Sequence, residues 1–171
     1  HRSMLVSQLV EAHTQLNKFD DAIEIARAEH EARPDDIVVA GSYIHILHLA
    51  GRKDEALRAA QAAIARAGKP SVKLGANYAE VALRSEYAGE ALEYLQNALR
   101  TAEQEQDESL AFAHTQLGHL LDRAKRYDEA FEHFRKAGEC SPVVYNDESN
   151  RARADRTIAA FAPDRYAGFT P

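Results

Sequence analysis

One tetrad recurs four times in this chain. It reads Phe19-Asp20-Asp21-Ala22, Lys53-Asp54-Glu55-Ala56, Ala88-Gly89-Glu90-Ala91 and Tyr127-Asp128-Glu129-Ala130, with the alanines 34, 35 and 39 residues apart. A period near 34 signifies one supersecondary unit copied along the chain, and each copy needs a neighbour to bury its apolar face. That restricts the fold to a repeat array. Arrays of this kind are surfaces for gripping other chains, so the sequence points to a binding scaffold while leaving the partner open.

A helix flanks each tetrad on either side. The first runs over about 4–16, with Leu5, Leu9, Ala12 and Leu16 at helical spacing. Asn17-Lys18-Phe19 makes a turn, Asp20 or Asp21 opens the second helix over about 20–33, Asp21 with Glu24 fits a capping box, and Pro34 stops it. In the second unit Asp35 or Asp36 caps a helix to Ala50, Gly51 closes it, and a helix from Asp54 ends near Gly68. The third unit starts at Pro70-Ser71, turns near 87–89 and continues to Leu99; the fourth runs over 106–124 and 128–138, ended by Pro142. The units are therefore 4–34, 35–69, 70–105 and 106–142. The acidic stretch 103–108 lengthens the helices beside it. A further amphipathic helix, within 143–163, places Ala154, Ile158 and Phe161 on one face and serves as a cap for the array. Residues 164–171 read as a tail, and 1–3, ahead of Met4, as residues foreign to the native chain.

Alanine-rich runs such as 59–63 favour helix. The net charge of −6 argues against a general nucleic-acid binder, whose footprint should be basic. No apolar run reaches the 18 residues that would suggest a membrane span. The one cysteine, Cys140, cannot pair internally, which suits a reducing, cytoplasmic setting.

These units resemble tetratricopeptide repeats (TPR), most clearly in the fourth. Leu117-Gly118 and Leu121 stand at the first-helix packing positions, Tyr127 at the turn, Ala130, Phe134 and Ala137 along the second helix, and Pro142 at the end. Gly118 and Ala130 are small where two helices cross, and Leu117, Tyr127 and Phe134 fill the space beside the crossing. The glycine becomes Val10, Ile44 and Ala79 in the other units, and the aromatic of the fourth position is absent from all four. The resemblance implies an all-α, right-handed solenoid of four helix–turn–helix units. A second resemblance lies at 145–161, which is similar to the helix joining such repeats to a sulfotransferase domain in bacterial fusion proteins.

The TPR resemblance implies a concave face lined by the first helices. Its candidate residues are Ser7, Glu11, Thr14 and Gln15; His45, His48 and Leu49; Asn77, Glu80 and Arg84; and Thr115, Gln116, His119, Asp122 and Arg123. They are polar and mixed in charge, and suit a protein or peptide segment. Repeats that clamp a C-terminal carboxylate need cations where this chain has Ser7, Glu11, Gly41 and His45, which argues against that specialised mode. Arg84, Arg123 and Arg126 match carboxylates geometrically, and pairing with Glu80 and Asp122 nearby is the expectation for them. His45 and His48 share a helix face with His119 opposite, but no Cys or acidic group stands at ligand spacing, so no metal is expected. His13 and His114 fall on packing faces. No phosphate loop, nucleophile elbow or zinc-protease motif is present, so neither catalysis nor a cofactor is expected. Two alternatives remain: a docking region of a larger enzyme, sulfotransfer first, and self-association through an array end.

Overall fold

The computed structural model describes residues 2–101, 109–140 and 147–160, the last stretch partly by backbone alone. Among the described residues there are nine helices and no strand. They are α1 (Arg2–Gln15), α2 (Phe19–Ala32), α3 (Ile37–Leu49), α4 (Lys53–Arg66), α5 (Val72–Ala82), α6 (Ala88–Thr101), α7 (Leu110–Arg123), α8 (Tyr127–Cys140) and α9 (Asp147–Ala160). The chain divides into two compact units, His1–Cys140 and Ser141–Pro171. The first is an all-α solenoid of four hairpins. Each second helix (α2, α4, α6, α8) opens on the first residue of a tetrad, so the period of the sequence is the period of the fold.

The expected helix α9 is present in the second unit. Phe161, the tail 164–171 and the acidic stretch 103–108 lie outside the described residues, as does the side chain of Ile158. The first helix includes residues read as foreign. Arg2 Nε lies 3.1 Å from Glu29, and Ser3 Oγ donates to Asp36 at 2.5 Å.

Three of the four hairpins turn in the same way. Asn17, Gly51 and Lys125 take left-handed backbone, with φ of 56°, 76° and 61°. The next amide then reaches back into the helix: Lys18 N to His13 O, Arg52 N to Leu47 O and Arg126 N to Leu121 O, each at 2.9 Å. This turn satisfies the last carbonyls of the first helix and leads directly into the second. The third unit departs from it. Its first helix, α5, has 11 residues, and the Ser85 hydroxyl accepts from Tyr87 N at 3.1 Å while donating to Ala82 O.

The expected cap at Asp20 or Asp21, with its Asp21–Glu24 box, does not form. Helix α2 starts earlier, with Lys18 at the cap and no side-chain bond there. The tight turn leaves no extended residue to present a side-chain oxygen. The aspartates lie instead within the first turn, where negative charge faces the helix dipole. In two other units a salt bridge links cap and first turn, Arg52 with Glu55 at 2.6 Å and Arg126 with Glu129 at 2.6 Å. Asp36 is a side-chain cap, accepting from Val38 N and Val39 N at 3.0 and 3.2 Å. Ser71 caps α5 through Leu74 N.

The tetrad alanines lie where paired helices cross. Ala22, Ala56 and Ala91 have no exposed surface, and Ala130 is buried. A Cβ on Gly118 would come within 2.6 Å of the Phe134 ring. One buried cluster spans units two to four and another units one and two; half-buried Ala59 and Val81 pack against both. Several expected core residues stand outside them. Leu5, Leu9, Ala12 and Leu16 are exposed, leaving Val10 as the buried residue of α1, and Tyr127 and Phe134 are exposed too. These residues belong to the two end helices, α1 and α8, or, for Leu16, to the turn after α1, where among the described repeats no further unit is packed.

Candidate functional site

The first helices α1, α3, α5 and α7 each touch the next, whereas no two second helices make comparable contact among the described residues. Contact on the first-helix side alone makes that the inner side of the array. Val10, Ile44, Ala79 and Gly118 occupy the same register in their units, and the residue after each forms a row: Glu11, His45, Glu80 and His119. Adjacent helix axes are separated by about 8–10 Å, so neighbouring members of the row come within reach of one another. Acid and imidazole alternate along it.

His45 Nδ1 is 3.2 Å from Glu80 Oε2. The hydrogen bond to Glu80 holds the His45 pKa above the usual imidazole value; burial opposes it, and the charges of Glu80 and Glu11 add to the rise. His119 is exposed and meets Phe134 edge-on, with ring centroids 5.1 Å apart. The centre of the row is thus a half-buried imidazole with its pKa raised beside the Glu80 carboxylate, and an exposed imidazole lies further along.

Other expected groove residues have local roles. Asn77 is buried, with its Nδ2 donating to Lys73 O at 2.8 Å, and lies 3.1 Å from where a Gly41 Cβ would be. It fills the close approach of α3 and α5 instead of offering an amide to a partner. Ser7 Oγ lies 2.7 Å from Ser42 Oγ and so ties α1 to α3. Thr14 and Thr115 hydroxyls donate to Val10 O and Ala111 O of their own helices. Gln15 donates to Glu11 at 3.1 Å. His48 is half-buried, and its Nδ1 has no partner among the described residues. Gln116 is half-buried, while Leu49, Arg84, Asp122 and Arg123 are exposed.

The arginines do not pair as expected. Glu80 is taken by His45, because α3 lies against α5 and presents the imidazole across the contact. Arg123 donates to the backbone carbonyls of Leu83 and Ser85, pinning α7 to the end of α5. Arg126 pairs with Glu129. Arg84 makes no ion pair among the described residues.

A second imidazole cluster lies away from the groove, between α7 and α8. His114 Nδ1 and His133 Nδ1 are 2.9 Å apart. Burial, with His133 and Lys136 adding, pushes the His114 pKa down to about 4, and burial and Lys136 lower that of His133. At that distance one ring must donate and the other accept, which a doubly protonated pair cannot do. Each histidine sits within an ordinary helical pattern; their pairing was detectable only by overlaying the two helix faces. The Glu11 to His119 row follows from aligning units on their crossing residues. Among the described residues no three His, Cys, Asp or Glu are grouped to hold a metal ion, and no helix is long and apolar enough to cross a membrane.

Four stacked hairpins with touching first helices define a tetratricopeptide-type solenoid. Solved structures of the same fold include MamA from residue 41 onward of Desulfovibrio magneticus RS-1, with a TM-score of 0.57 and 19% identity over 81% of this chain and 75% of that one. Another MamA crystal structure has a TM-score of 0.58 and 17% identity, over 78% and 74% of the two chains. YrrB, a TPR protein with an unusual peptide-binding site, has a TM-score of 0.54 and 22% identity, over 80% and 68%. No family model matches the chain, and no curated protein matches it significantly. None of the three structures is of a sulfotransferase, and much of 145–161, which suggested one, lies outside the described side chains.

Proposed function

We propose that this chain is a non-enzymatic interaction scaffold that holds a segment of another protein along the face of α1, α3, α5 and α7. The observation that carries this reading is the row Glu11, His45, Glu80 and His119, which puts alternating acceptors and donors at the same height on four touching helices. An extended segment presents backbone N–H and C=O groups in alternation, so such a row can bond it with little dependence on its side chains. Gln116 and Arg84 supply further donors beside the row. The peptide-binding TPR protein YrrB supports the class of ligand, although the residues proposed here are read from this chain alone. The free thiol of Cys140 suits a reducing compartment.

The test uses segments selected from a displayed random-peptide library against the purified chain. His45→Ala and Glu80→Gln combined should lower affinity for a selected segment by about tenfold or more, equivalent to ~1.4 kcal/mol. Far-ultraviolet circular dichroism should be unchanged. Undiminished affinity in the folded double variant would remove the groove from the mechanism.

A further inference from the structure

The two ends of the array carry the side chains of an internal junction. Overlaying the units places Leu5 on Val39, Leu74 and Ala113, and Ala12 on Ile46, Val81 and Leu120. In α3, α5 and α7 these positions are buried or half-buried against the preceding second helix. In α1, Leu5 is 64% exposed and Leu9 46%, and Leu16 just after the helix is 67% exposed. At the opposite end Phe131 overlays Ile23, Leu57 and Leu92, which pack into the clusters, yet Phe131 is 68% exposed and Tyr127 60%. End units closed to further stacking carry a polar outer face; neither of these does.

The end faces also fit each other. At the internal junctions the second-helix position of Phe131 belongs with the first-helix position of Ala12. Ile23 shares a cluster with Ile46, Leu57 and Val81 pack against one cluster, and Leu92 and Leu120 line one cavity. Bringing α8 of one molecule onto α1 of another in that register sets Phe131, the largest of these side chains, against Ala12, the smallest. Helix α1 carries one anion and one fixed cation, Glu11 and Arg2, so no net charge of α1 opposes the approach. We infer that copies of this chain associate head to tail, α8 of one copy seated on α1 of the next, extending the solenoid across molecules. The surface concerned is separate from the groove and independent of the reading given to it.

A junction of this kind is heterologous and does not close on itself, so it generates open chains. The exposed side chains of Met4, Leu5 and Leu9 in α1 and of Leu16 beside it offer roughly 400–500 Å². That is about half of what each partner buries in a stable interface, which places the contact in the weak, reversible class.

The test is sedimentation velocity on the full 171-residue chain from about 10 µM to about 1 mM, the range in which weak contacts populate. The weight-average sedimentation coefficient should rise steadily with concentration. Leu9→Glu and Phe131→Glu each remove one face and leave the other, so each variant alone should stay monomeric. Their equimolar mixture should stop at dimers. Both sites are exposed, and the helical dichroism of each variant is checked first; Leu9→Gln and Phe131→Gln replace any variant that fails it. A wild-type chain monomeric throughout would overturn the proposal and leave these faces to other occupants. Persistent self-association of Phe131→Glu alone would overturn it in favour of symmetric α1 pairing, and a mixture without dimers would overturn it as well.

Discussion

Two histidines of this molecule respond to acid in opposite senses. His114 is held neutral in the fold, with its pKa lowered to about 4 from the usual 6.5. The unfolded chain therefore binds a proton more readily, and the stability that His114 contributes is complete above pH 6.5 and declines as pH falls toward 4. His45, raised by Glu80, works the other way: its contribution is complete below pH 6.5 and is lost as pH rises through its folded value. His114→Leu should flatten the fall in Tm between pH 6.5 and 4 by about 3 °C, corresponding to ~1 kcal/mol once solvent screening of this part-exposed pair is allowed for. Glu80→Gln should lower Tm at pH 5 to 6 and leave it little changed at alkaline pH, where His45 is neutral in either protein. Thermal scans across the pH range check both. Packing is equally specific at the crossings. Ala91→Leu introduces three carbons where no surface is free and should cost about 1–3 kcal/mol in urea unfolding.

Among the elements, the hairpin turns are the clearest case of a sequence signal misassigned. The tetrads located every second helix to within about two residues, because four aligned copies reinforce one another. Their aspartates look like caps, but whether an aspartate caps depends on the backbone of the residue before it, which the left-handed turn fixes. Lys125 adopts φ of 61° in the position where Gly51 stands at 76°. Lys125→Gly should therefore stabilise the fourth hairpin by about 0.5–1 kcal/mol, since glycine takes this conformation without the clash of a Cβ. Gly51→Ala should destabilise the second by a similar amount. Chemical denaturation of both variants distinguishes the turn from general composition effects. Asp36→Ala should cost about 1 kcal/mol or more, because the carboxylate caps α3 and also receives Ser3 and Arg33.

Over the whole molecule, the fold was legible because its information is periodic. The groove was legible only in outline. Register identified which helices would line it, and assigned His45, Glu80 and His119 to first helices, which are α3, α5 and α7. Whether a polar side chain there is offered outward or consumed at a helix contact depends on close approaches, such as Gly41 beside Asn77, that no local pattern encodes. The same limitation accounts for the outward leucines of α1. Their spacing is that of a core stripe, but burial requires a neighbour to stack on. In a quasi-one-dimensional array the end units lose protection first. Hydrogen exchange should consequently be fastest in α1, whose buried contribution is Val10, and slowest in α5, where most side chains lie in the core.

The two hydrophobic clusters share only Ala59 and Val81, both half-buried. Short side chains at such a joint resist little when one half of the molecule is pulled against the other. Bending should concentrate there, at the second hairpin, where the two clusters meet. The protein would then yield like a spring with one soft coil, and the proposed gripping face would adjust its width to the thickness of a bound segment.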